Sequence, residues 1–124
     1  MPDHERGMLI FTRLAVISHE KQQAIGRDKF LILAAVEACR AGWLEVSEKC
    51  RQLVTESNPL HLLNRYETVA DALRSEDFQS FARQLERFCS LERGEHLLTE
   101  LGIEPLPPDG SLAGNFCEDL LDME

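Results

Sequence analysis

The sequence predicts an all-α fold, an antiparallel bundle of about five helices with a flexible acidic C-terminal tail. Three observations carry this expectation. The run Asp28 to Gly42, DKFLILAAVEACRAG, holds seven consecutive apolar residues from Phe30 to Val36, and a helix without a polar face must be covered from several sides. Amphipathic stretches with apolar steps of three and four residues recur along most of the remaining chain. The only strand-like runs, MLIF at 8–11 and LAVI at 14–17, have no second run to pair with, and an isolated strand leaves its backbone groups unsatisfied.

The first helix is expected over residues 4–25, capped by Asp3 and stopped at Gly26. The central helix follows from an Asp28 cap to Gly42. A third runs from Trp43 to about Glu56, with Trp43, Val46, Cys50, Leu53 and Val54 inward and Glu45, Glu48, Lys49 and Arg51 outward. Asn58 before Pro59 signals a fourth start, and Leu62, Leu63, Tyr66, Val69, Ala70 and Leu73 supply its stripe. Ser75 is placed to cap a fifth helix carrying Phe78, Phe81, Ala82, Leu85, Phe88 and Cys89. Gly94 is expected to break or bend it before Leu97, Leu98 and Leu101, and Gly102 to end it.

Residues 1–103 therefore read as one helical domain and 104–124 as a Pro-rich connector with an acidic amphipathic tail. Trp43 and Phe78, each at the turn of a helix pair, lie 35 positions apart. That spacing is similar to the period of about 34 residues in tetratricopeptide-type hairpins, so two stacked hairpins of that kind are the alternative architecture. The Gly, Tyr, Ala and Pro positions of that consensus are mostly missing.

The chain has 124 residues and a net charge of −9, and residues 104–124 contribute six acidic and no basic side chains to it. A surface of this sign repels phosphate backbones and anionic lipid, so neither direct nucleic-acid binding nor membrane docking is expected. No apolar run approaches the roughly 20 residues that cross a bilayer. Cys39, Cys50, Cys89 and Cys117 are widely spaced, without a CxxC pair, and nothing upstream resembles a signal peptide. They read as small buried thiols of a cytoplasmic protein.

Chemistry-bearing residues are sparse. His19 beside Glu20, and Glu92 one turn before His96 with Glu95 adjacent, come nearest to metal-ligand spacing, but neither HExxH nor Glu-x-x-His occurs. No nucleophile elbow and no glycine-rich phosphate loop is present. No cofactor is expected. Arg83 and Arg87, one helical turn apart with Glu86 between them, are a candidate grip for a carboxylate or phosphate. His61, Arg65 and Tyr66 form another polar cluster. In the tail, Phe116, Leu120 and Met123 share one helix side, flanked by Glu118, Asp119, Asp122 and Glu124, and are expected to bind a protein partner; covering the domain's own groove is the other reading.

The sequence thus points to a non-enzymatic intracellular helical protein-protein interaction module. A small metal- or ligand-binding helical protein or enzyme is the alternative. A third reading is an acidic protein that sequesters a basic nucleic-acid-binding partner.

Overall fold

The computed structural model describes residues 3–108 and 110–123, and its regular elements are helical. In chain order these are α1 (His4–Glu20), α2 (Ala24–Ala41), α3 (Leu44–Ser57), a 3₁₀ turn (Leu62–Arg65), α4 (Val69–Ala72), α5 (Glu76–Phe88), α6 (Leu91–Glu100) and α7 (Ala113–Leu120). Among the described residues there is no strand, and no helix is long and apolar enough to cross a membrane.

The core is organised around α2. Phe30 to Val36 and Ala38 are all buried, because α1, α3, α4 and α5 all pack against this helix. Leu31 and Ile32 are among the largest fully buried side chains, with Met8, Leu9 and Ile10 of α1. Each side chain of this size contributes about 1.5–3 kcal/mol on burial. A serine is admitted only with a partner: the Ser47 hydroxyl of α3 donates to the Ala35 carbonyl at 2.8 Å.

Helix boundaries depart from the sequence expectation in three places. First, α1 stops at Glu20 and α2 begins at Ala24. Gln22, at φ +60, takes the left-handed position expected of Gly26, and the Gln23 amide reaches back to the Ser18 carbonyl at 2.8 Å. Gly26 and Asp28 lie inside α2, where Asp28 pairs with Arg27 at 3.0 Å instead of capping. The expected stop at Gly42 is where α2 ends, at φ +89.

Second, the span expected to be helix four is broken. His61 Nδ1 accepts from the Leu63 amide at 3.0 Å, Thr68 Oγ1 from the Asp71 amide at 3.1 Å and Glu48 Oε2 from the Val69 amide at 2.9 Å. Side chains that capture amides in this way end or restart helices. The tetratricopeptide-like alternative, which needs a full helix in this span, does not describe the chain.

Third, the break between α5 and α6 falls at Cys89 and Ser90, where the Ser90 hydroxyl accepts from the Arg93 amide at 3.2 Å. Gly94, expected to interrupt the pattern, instead lets α6 pass close to α1. A Cβ there would sit 2.9 Å from Ile10 Cγ2.

The C-terminal segment is not the flexible tail that composition suggested. Its helix α7 packs on α1 and α3, burying Ala113, Gly114, Cys117 and Leu121. Phe116 and Met123 pack against the core, and they and Leu120 are half-buried. Glu124 lies outside the described residues. The helix is seated by a close fit: a Cβ on Gly114 would come within 2.0 Å of the Trp43 ring. Arg13 stacks over Phe116 at 4.7 Å, and the Lys49 ammonium holds both the Glu118 carbonyl, at 3.0 Å, and the Asp122 carboxylate. Glu118 lies beside Glu45 of α3; burial and the neighbouring carboxylate both push its pKa up.

Leu33, 4% exposed, tests the central helix. Leu33→Ala is expected to cost about 2–5 kcal/mol in chemical denaturation, and an unchanged midpoint would remove this stretch from the core. Trp43 is the chain's single tryptophan, so its fluorescence reports α7 docking. Gly114→Ala, or deletion of residues 104–124, is expected to shift its emission to the red and lower the Tm; unchanged emission would show that α7 is not seated there.

The raised pKa of Glu118 sets a pH dependence. Its ionisation opposes docking above the unfolded carboxylate pKa of about 4.3, and fully so above the folded value. Glu118→Gln is therefore expected to raise the Tm at pH 7, with the gain shrinking as pH falls towards 4, as thermal melts across that range would show.

Candidate functional site

Two clefts adjoin across Cys89, which lines both. The first, of about 460 Å³, is lined by Phe30 of α2, Arg87 and Phe88 of α5, Cys89, and Arg93 and Leu97 of α6. Arg87 and Arg93 are six residues apart and on a continuous helix would diverge. The break at Cys89 turns the chain so that both line one cleft. Phe88 is 42% exposed, its ring 5.7 Å from that of Phe30 and 4.4 Å beneath the Lys29 ammonium. Among the described residues no acidic side chain lines this cleft.

Two acidic neighbours of these arginines are engaged elsewhere, while Glu92, adjacent to Arg93, is exposed. Glu86 lies 3.7 Å from Arg40, and Glu95 pairs with Arg6. Neither Arg87 nor Arg93 forms an ion pair among the described residues.

The second cleft, of about 370 Å³, brings together His4, Glu37, Arg40 and Glu86 with Asp3, Phe11, Leu33, Ser90 and Leu91. His4 Nδ1 lies 2.6 Å from Glu37 Oε2, and Arg40 is 4.0 Å from Glu37 and 3.7 Å from Glu86. The Glu37 carboxylate fits because Gly7 has no side chain; a Cβ there would be 3.0 Å from Glu37 Cδ. These charges are largely compensated among themselves, and the array ties α1, α2 and α5 together. Cys89 supplies no nucleophile to either cleft, since burial raises its pKa and holds it as the thiol.

The candidates named from the sequence are distributed differently. Arg83 and Arg87, one turn apart on α5, line different clefts: Arg83 lines a third with Arg40, Gln79 and Glu86, near Ser80 Oγ at 3.3 Å, whereas Arg87 shares the first with Arg93. His96 pairs with Glu100 at 2.9 Å on an exposed face, Glu92 is exposed, and His19 Nδ1 lies 3.3 Å from Arg27. Among the described residues no group of three or more His, Cys, Asp or Glu side chains is placed to hold a metal ion. Tyr66 donates to the Ser75 hydroxyl at 2.8 Å and Arg51 to the Tyr66 carbonyl at 3.4 Å, so that polar cluster joins neighbouring segments. Sequence reading missed Lys29, Phe88 and Arg93 as partners of Arg87; the available signal was Ser90, a cap residue three positions before Arg93.

No protein-family model matches this chain, and comparison with curated proteins and with solved structures finds no significant match.

All four thiols are free. Burial pushes Cys117 up to about 11 and raises Cys50 further, and only Cys39 is half-buried rather than buried. At pH 8 a disulfide reagent is expected to titrate at most Cys39 in the folded protein and all four in denaturant. Rapid native reaction at Cys50 or Cys117 would contradict this packing.

Proposed function

We propose that this chain is a non-enzymatic helical protein-protein interaction module of the cytosol, with the cleft around Phe88 as its partner-binding face. One observation carries the reading: a large aromatic ring is left exposed between a lysine and two arginines that lack ion-pair partners among the described residues. Aromatic and arginine side chains dominate the energetics of protein interfaces. The free thiols fit a reducing compartment. The tail is a weaker candidate for this face, because Phe116 and Met123 already pack against the core of their own domain.

The test is capture from lysate of the native host on immobilised full-length protein, compared with Phe88→Asp. A partner retained by the wild type is expected to be lost by the variant at unchanged Tm, and Phe88→Ala to weaken binding of the purified partner by about 2 kcal/mol or more, roughly 30-fold in Kd. A partner bound equally well by Phe88→Asp would overturn this assignment of the face.

A further inference from the structure

We infer that the occupant of the Phe88 cleft is an acidic peptide segment carrying an apolar or aromatic side chain, its carboxylates received by Arg87, Arg93 and Lys29 and its apolar residue by Phe88 and Leu97. This rests on the cleft being the partner face and adds the chemistry of the partner.

Charge is the first argument. The chain as a whole is at −9, yet among the described residues the ionisable side chains lining this cleft, the Cys89 thiol apart, are basic. Of the nearby carboxylates, Glu86 and Glu95 are drawn off by Arg40 and Arg6; Glu92, beside Arg93, is exposed and makes no ion pair among the described residues. Two guanidiniums on one wall can each take a carboxylate in a bidentate fork. The Lys29 ammonium, already over the Phe88 ring, adds a third positive group.

The second argument is the shape of the apolar surface. Phe30 and Phe88 form the floor at one end, and Leu97 continues it along α6. Leu101, one turn further on, is 51% exposed, and side chains four apart on a helix lie on the same side. The apolar surface thus extends past the cleft along α6, which suits a chain segment rather than a compact ion. A nucleic acid fits poorly. The attraction of the local cluster reaches only a Debye length, roughly 10 Å, so a long polyanion runs past it onto a surface of net negative charge, while a short segment needs only the cluster.

The probe is a fluorescein-labelled hexapeptide Glu-Asp-Phe-Glu-Leu-Asp, titrated with the full-length chain by anisotropy at low and moderate salt. Controls are the same peptide with Gln and Asn for its acids, the same peptide with Ala for Phe and Leu, and an oligouridylate long enough to run past the cleft. Binding is expected for the first peptide only, weaker at higher salt. Arg87→Ala and Arg93→Ala are each expected to reduce it about tenfold, Lys29→Gln less, and Phe88→Ala at least as much as either arginine. Arg83→Ala, in the neighbouring cleft, is expected to leave it unchanged. Equal binding of the neutral peptide, tighter binding of the oligonucleotide, or insensitivity to Arg87→Ala and Arg93→Ala overturns the inference. If those results appear while Phe88→Asp still abolishes partner capture, only the acidic identity of the occupant fails. If Phe88→Asp retains the captured partner, the functional reading fails with it.

Discussion

Everything in this fold answers to one constraint: α2 has no side that water can be allowed to reach. Phe30 to Val36 are buried in succession, over about two turns of helix, so neighbours must approach from all round. One partner helix would leave most of that circumference wet. The chain supplies α1 and α3 on either side of α2 in sequence and brings α4 and α5 back against it. The same requirement spreads to α1, which is buried continuously from Gly7 to Thr12 and is covered in turn by α6 and α7.

Close covering explains the glycines. Gly7 makes room for the Glu37 carboxylate, Gly94 for Ile10, and Gly114 for the Trp43 ring; none of these three is at a positive φ, so each is there for space rather than for a turn. The edges of the cover are stitched by charge, His4 to Glu37, Arg6 to Glu95 and Lys49 to Asp122. Such half-exposed pairs add little stability individually. Their larger consequence is distribution: they draw carboxylates to the α1, α2 and α6 contacts and leave the region where cover over Phe30 ends flanked by Lys29, Arg87 and Arg93. The candidate site is thus a by-product of how the core is closed.

Much of this was legible in the sequence. An uninterrupted apolar run declares a central helix whatever surrounds it, Gly42 ends α2 as its backbone freedom suggests, and α3 carries Val46, Cys50 and Val54 inward. What could not be read depends on contacts between distant residues. Glu48 caps a segment 21 positions away, which no local pattern announces, so residues 59–73 read as one helix. The most buried positions of the α7 segment are Gly114, Cys117 and Leu121, with Phe116 and Met123 packed beside them, because the Trp43 ring selects the one position without a side chain. Arg87 was visible as a candidate, but Arg93 beside it in the cleft was not, since helical spacing assumes the helix continues and here it stops at Phe88.

The most direct test of the enclosed central helix is native-state hydrogen exchange on the full-length chain, read residue by residue by NMR. Amides from Leu31 to Ala38 are predicted to exchange only through global unfolding, at the free energy given by denaturation, while those of α7 and of residues 59–73 open at lower cost. If amides within Leu31 to Val36 exchange faster than those at Val46 to Val54 of α3, α2 is not enclosed, and the account of the fold and of the cleft at its edge is wrong.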